Sequence, residues 1–268
     1  MSAPNPADLP QRSGYGSGVY RRRIRIEVTA DTAIGELEDD FHHFRAILRH
    51  DGSKILEGTG VALRMPWTTC AGAMRPLERL QGLSLQSSLL ATAKFTDPRM
   101  QCTHAFDAAT LAVAHAARFS KNPSSPSSRC YSVDIPDRKK GLTRAELRRD
   151  GELILIWELD RVTIQSPEPF SGRSLSGGRF ASWAEETFDE DGAEAAQVMR
   201  RACVISMGRI YQFDAIPHAR LFAAASGGAC HTFRKEIMPG ADRVPDTTRD
   251  FTDEGEAFHA KGIELSKA

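Results

Sequence analysis

The sequence is short of most features that announce a function. Its 268 residues contain no run approaching the ~20 apolar residues of a membrane-spanning helix, so no membrane span is expected. The first twenty residues carry Pro, Ser and Gly rather than an apolar stretch, and no secretory signal is read there. Neither sign of charge dominates: 35 Lys and Arg balance 35 Asp and Glu, for a formal net charge of +0. Such a chain offers no global attraction to nucleic acid or to an anionic membrane. Cysteine is sparse, odd in number and scattered over Cys70, Cys102, Cys130, Cys203 and Cys230. There is no Cys-Xaa-Xaa-Cys pair, which speaks against finger-type structural zinc. The scatter speaks against a secreted disulfide scaffold and for a reducing cytoplasm. Neither a glycine-rich dinucleotide fingerprint nor a phosphate loop ending in Gly-Lys-Ser/Thr is present. No nicotinamide, flavin or nucleotide cofactor is expected, so any chemistry falls to side chains.

What is there reads as a globular protein. Hydrophobic residues make up 41% and charged residues 26%, and the length suffices for one large domain with a real core. Residues 21–29 alternate, with Ile24, Ile26 and Val28 on one side and Arg23, Arg25 and Glu27 on the other, which predicts a half-buried strand. Residues 33–48 read as a second strand with a bulge at Asp39 and Asp40. Asp51-Gly52 is the strongest hairpin signal in the chain. The returning strand, 54–65, ends at Pro66, which cannot donate to a ladder. A short helix is expected over 72–83, and 89–96 is ambiguous. A long helix is expected over 103–119, capped by the Thr103 hydroxyl. Phe106, Ala109, Val113 and Ala117 form its apolar face, with His104 and His115 together on the other side. Residues 122–129 form a Ser/Pro linker, and helices follow over 180–187 and 192–207, the last stopped by Gly208.

The second half resembles the first. The run from Arg45 to Gly52 recurs as Arg144 to Gly151, each with an alternating strand upstream and a strand ending near proline downstream. The expected organisation is a disordered segment at 1–19, one α+β domain at 20–250 and a tail at 251–268, with the chain only loosely held from 239. The domain would consist of two related halves, 20–121 and 130–238, whose cores are β-meanders at 20–66 and 131–166.

Polar and reactive side chains concentrate between 39 and 104. His42 and His43 are adjacent on a predicted strand, so at most one faces a given cavity. Trp67 offers a stacking plane, Arg64 a forked donor, and Thr68 and Thr69 hydroxyls that would equally cap a following helix. Cys70 and Cys102 read as small buried hydrophobes or as thiols activated by histidine. The set Cys102, His104, Asp107 and His115, with His42 or His43, offers ligands for zinc or iron on one reading. On the reading preferred here, no metal is bound and His104 is an acid–base group oriented by Asp107 one turn on, with His42 and His43 as further candidates.

Leu37 to Phe44, His50-Asp51-Gly52, Arg64 to Ala73 and Cys102-Thr103-His104 together resemble the DUF2889 family of bacterial proteins. The resemblance extends from about residue 20 to 250, with Ala71 standing where Pro is expected. It implies a bacterial catabolic enzyme acting on an aromatic, lignin-derived compound. Together with the missing redox fingerprints, that favours a lyase. Its sharpest form is a cofactor-free carbon–carbon lyase that releases formaldehyde from a phenylcoumaran-type dimer and leaves a stilbene. Arg64, Trp67, Thr68, Thr69, Cys70 and Cys102 would then contact substrate. The alternatives are a non-catalytic carrier of a hydrophobic small molecule, with Phe41, Phe44, Trp67 and Trp183 lining its pocket, and a metal-dependent hydrolase. The expected partner is a small aromatic substrate, with a homo-oligomer left open.

Overall fold

A computed structural model describes residues 8–226 and 230–260. Strands β1 (Val19–Val28), β2 (Thr32–Asp39), β3 (His43–His50) and β4 (Ile55–Arg64) form one meander, and β5 (Ser128–Pro136), β6 (Leu142–Arg149), β7 (Glu152–Asp160) and β8 (Thr163–Ser166) a second. The two share one antiparallel eight-stranded sheet in the order β4-β3-β2-β1-β5-β6-β7-β8, joined where β1 pairs with β5. The fold is thus α+β with two meanders, as the alternation and turn signals predict.

Helices α1 (Leu89–Phe95) and α2 (Thr103–Lys121) follow the first meander, α3 (Phe180–Thr187) and α4 (Glu190–Ser206) the second, with α5 (Ala219–Ser226) and α6 (Gly255–Ala260) toward the end. α2 lies on β1, β2 and β3, and α4 on β5 and β6. Side-chain pairs tie these helices in antiparallel order, Asp107–Arg201 at 3.0 Å near the start of α2 and, further along it, His115–Glu194 and Arg118–Glu194, both at 2.8 Å. α2 is buried all round: from His104 to Ala117 only Asp107 is not buried. Its many alanines allow a close approach, and Gly35 on β2 completes it. A Cβ there would stand 2.2 Å from the Ala108 carbonyl oxygen.

The even-numbered residues of β1 form the row in the core. Tyr20, Ile24, Ile26 and Val28 are apolar or amphipathic there, but Arg22 sits among them with no exposed surface. A wholly buried guanidinium in an apolar row must be paired, and its partner lies at the end of the next strand.

Several boundaries differ from the sequence reading. Residues 33–48 are two strands, because the Asp39 side chain breaks the run: its Oδ1 accepts the backbone N–H groups of Phe41 and His42, both at 2.9 Å, and closes a turn. A 3-10 helix, Thr68–Leu80, begins ahead of the expected helix. α2 is capped in position by Cys102, without a side-chain bond; Thr103 is its first helical residue. Residues 89–95 are helical, with Ser88 accepting the Ala91 N–H at 3.0 Å. The two Asp-Gly turns are not equivalent. Asp51-Gly52 joins β3 to β4, the third and fourth strands of its meander, whereas Asp150-Gly151 joins the second and third of the other.

Both ends are fastened where described. Leu9 is buried, and Arg12 N–H donates to the Ile210 carbonyl at 2.8 Å, so 8–19 is an ordered segment; 1–7 lie outside the described residues. Phe251 and Phe258 are buried and stack with centroids 4.2 Å apart, and the Arg23 guanidinium bonds the Phe258 carbonyl. The expected loose tail is docked on β1 through 260, and 261–268 lie outside the described residues.

Candidate active site

A cavity of about 460 Å³ opens at the end of the first meander, beside the start of α2. The β2–β3 turn contributes Phe41 and His42, and β3 contributes Phe44. The chain after β4 contributes Pro66, Trp67 and Cys70. Cys102, Thr103 and His104 arrive at the head of α2, Arg201, Val204 and Ile205 on α4, and Met207, Gly208, Tyr211, Phe213, Phe222 and the 230–233 segment close the remaining side. Aromatic rings interlock around it: Phe41–Phe213 at 5.0 Å, Phe213–Phe222 at 4.9 Å and Trp67–Phe213 at 6.5 Å between centroids.

Its polar floor is built on Asp39. That carboxylate is fully buried and accepts from five donors. Oδ1 takes the two turn amides and His42 Nδ1 at 3.0 Å; Oδ2 takes the Tyr20 hydroxyl at 2.8 Å and Arg22 Nη2 at 2.7 Å. Burial alone would protonate Asp39, but His42 and Arg22 outweigh it and hold the carboxyl well below its usual range. An ionised carboxylate can only accept, so His42 Nδ1 carries the proton and Nε2 keeps its lone pair. Burial pushes the His42 pKa below the ordinary histidine value, against the pull of Asp39. The imidazole of His104 stacks on that of His42, with centroids 3.6 Å apart and planes inclined by 20°. Burial, and then the neighbouring His42, push His104 well below the ordinary value. Its Nδ1 lies 3.3 Å from Thr103 Oγ1, and its buried Nε2 has no hydrogen-bond partner among the described residues. Two neutral imidazoles therefore lie at the cavity wall near neutral pH.

Ligand atoms of Asp39, His42 and His104 lie within 4.8 Å of one another, close enough to share a metal ion were their lone pairs to converge. A zinc or iron ion would sit ~2.0–2.1 Å from each nitrogen along an in-plane lone pair. Stacked, nearly parallel rings direct those lone pairs side by side rather than at one point. Asp39 has also committed both oxygens to five donors. The arrangement suits proton transfer better than a divalent cation.

The structure brings together His42, His104, Trp67, Cys70 and Cys102, and separates the other sequence candidates from the cavity lining. His43 opens β3 on the opposite face, 2.9 Å from Glu36 Oε1. Asp107 does not orient His104; it pairs with Arg201. His115 pairs with Glu194 further along α2, so Cys102, His104, Asp107 and His115 do not form one ligand set. Arg64 supports the site from behind, donating to the backbone carbonyls of Asp39 at 2.5 Å and Thr247 at 2.8 Å. Thr68 Oγ1 donates to the Gly240 carbonyl at 2.8 Å and Thr69 Oγ1 to Thr232 Oγ1 at 3.1 Å, so both fasten the later chain rather than cap a helix. Trp183 packs elsewhere, edge-on to Phe170 and Phe180. Burial pushes the Cys70 thiol up to about 12 and the Cys102 thiol well above its usual value, so neither is an activated nucleophile.

Sequence reasoning missed Asp39 as the orienting carboxylate, Arg22 and Tyr20 as its partners, and Arg201 in the cavity lining. The signal for Arg22 was present: a charge inside the apolar row of an alternating strand. Tyr211, Phe213 and Phe222 carried none, because they come from segments without periodicity. No protein-family model matches the chain, and no curated protein matches it.

Proposed function

We propose that this protein is a cofactor-free acid–base enzyme acting on an aromatic small molecule, with His42 as the base, Asp39 as the residue that orients it and His104 as its stacked neighbour. The observation that carries this reading is the Asp39–His42 pair, which leaves an unprotonated Nε2 on an imidazole lining an aromatic cavity. Two positioned residues of this kind are the usual apparatus of general-base catalysis. The cavity volume falls in the range of pockets that bury a molecule of two aromatic rings.

The finer form follows the resemblance to DUF2889: a carbon–carbon lyase on a phenylcoumaran-type dimer in a bacterial catabolic pathway. His42 Nε2 takes the proton of the side-chain primary hydroxyl, and the oxygen–carbon bond becomes the carbonyl of formaldehyde. The carbon–carbon bond breaks, and its electron pair forms the stilbene double bond. The benzylic carbon–oxygen bond opens to a phenoxide, which recovers the proton from the His42 imidazolium. Arg201 at the cavity wall favours that developing negative charge. Because burial keeps His42 neutral, the base is available from neutral pH down to below the ordinary histidine value.

The test is incubation of the purified protein with phenylcoumaran and other aromatic dimers, without added cofactor, following products by mass. Release of formaldehyde with a stilbene product supports the lyase. Saturable binding without any product would replace it with a carrier of aromatic compounds, a reading favoured by the density of rings around the cavity.

A further inference from the structure

Behind the floor of the first cavity lies a second, of about 160 Å³, between α1, α2, α3 and α4. Its wall is mostly apolar, with Leu89, Phe106, Leu111 and Phe180 among the lining residues. Three guanidiniums, those of Arg22, Arg200 and Arg201, line it as well, with the Gln197 amide and a single carboxylate, Asp107. Asp107 is paired with Arg201 at 3.0 Å.

The donors that line this cavity are not all used. Arg22 spends Nε on the Tyr20 hydroxyl at 2.9 Å and Nη2 on Asp39 at 2.7 Å. Its Nη1 has no hydrogen-bond partner among the described residues, although Arg22 has no exposed surface. Arg200 donates through Nη2 to the Gly177 carbonyl at 3.0 Å, while its Nε is buried without a partner, as is Gln197 Nε2. Asp107 in the lining pairs with Arg201, and Asp39 outside it pairs with Arg22, so of the three guanidiniums that of Arg200 has no carboxylate of its own. Burial, and then the neighbouring Arg201, pull the Arg200 pKa below its usual value, against the pull of Asp107. Unused buried donors and surplus positive charge cost free energy that an anion of the right size would recover.

We propose that this second cavity binds a small carboxylate, its two oxygens shared between the guanidiniums of Arg22 and Arg200 and the Gln197 amide, with a short apolar tail against Leu89, Phe106 and Phe180. The two oxygens of a carboxylate can accept from these separate donors together, and the apolar wall favours a ligand with a short tail over chloride or phosphate. The second cavity shares Arg201 with the lining of the first, but the proposal concerns binding alone and does not depend on what reaction occurs there.

Binding alone tests it. The full chain is titrated with sodium acetate and sodium propionate, with sodium chloride at the same ionic strength as reference, following the melting temperature and the line width of carboxyl-labelled acetate. The expected result is a saturable rise in melting temperature with both carboxylates, none with chloride, and propionate the tighter. Arg200→Met should weaken the apparent affinity at least ten-fold. Equal responses to acetate and chloride, or a response in Arg200→Met like that of the wild type, would mean general ion screening and overturn the proposal. Should Arg200→Met fail to fold, Gln197→Leu, which removes an uncharged donor, is expected to weaken binding several-fold, and an unchanged affinity there overturns it equally.

Discussion

The imidazoles of His42 and His104 lie face to face, 3.6 Å apart, one brought by the turn after β2 and the other by the first turn of α2. Only His42 touches the buried carboxylate; His104 touches His42. The roles of the two rings therefore separate experimentally. His42→Asn should lower turnover by on the order of 10²-fold or more, the usual loss for a general base. His104→Phe keeps a stacked ring and should cost less. If His104→Phe loses more turnover than His42→Asn, the assignment of the base is wrong.

Asp39→Asn should cost stability. It keeps the shape but leaves the wholly buried Arg22 without its counter-charge, a loss of about 3–5 kcal/mol. Urea unfolding measures this directly. Tyr20→Phe removes one donor to the same oxygen and should cost about 1 kcal/mol. Equal losses for the two variants would contradict a carboxylate held chiefly by charge.

Acid should act through the stacked pair. Both imidazoles resist protonation in the fold because burial disfavours their charge. In the unfolded chain they take up protons around pH ~6.5. Below that pH the unfolded state binds more protons, so stability falls as pH falls; above it both states are neutral and these groups add no slope. The difference between wild type and His104→Phe isolates the effect from other titrating groups. Unfolding midpoints at about pH 8 and about pH 5 should show a smaller acid loss in the variant.

Gly35 offers a steric test. A methyl group there meets the backbone of Ala108, which cannot swing aside as a side chain end does. Gly35→Ala should destabilise by about 1–3 kcal/mol, as overpacking does, and should reduce turnover by moving the head of α2 away from His42. An unchanged melting temperature and rate would show that the helix does not need this approach.

The buried thiols give a fifth check. Cys70 and Cys102 line the cavity with thiols held protonated by burial. Alkylation at neutral pH should leave both unmodified in the native protein and label both after unfolding. Rapid native labelling of Cys70, read by peptide mass, would return it to the list of reactive groups.

The meanders and the long helices were legible because period-2 alternation and helical spacing report burial directly, as in residues 21–29 and 192–207. The site was half legible. Trp67, His42 and His104 stood out as chemistry-bearing residues near turns and helix starts. Asp39 was visible only as a strand irregularity, since nothing local distinguishes a bulge from a side chain that closes a turn. Helical spacing pairs Asp107 with His104, a turn away, whereas in the fold it pairs with Arg201, remote in sequence. Ion pairs between elements are set by tertiary packing and leave no periodic trace.

The burial of α2 on every side has a consequence for how this protein can vary. An ordinary surface helix shows a rhythm of tolerated and forbidden positions, because one face meets water. Between His104 and Ala117 only Asp107 is not buried. A saturation scan of this stretch should therefore show a nearly flat band of intolerance, without the 3.6-residue beat, and its alanines should reject larger residues as firmly as its leucine and phenylalanine reject smaller ones.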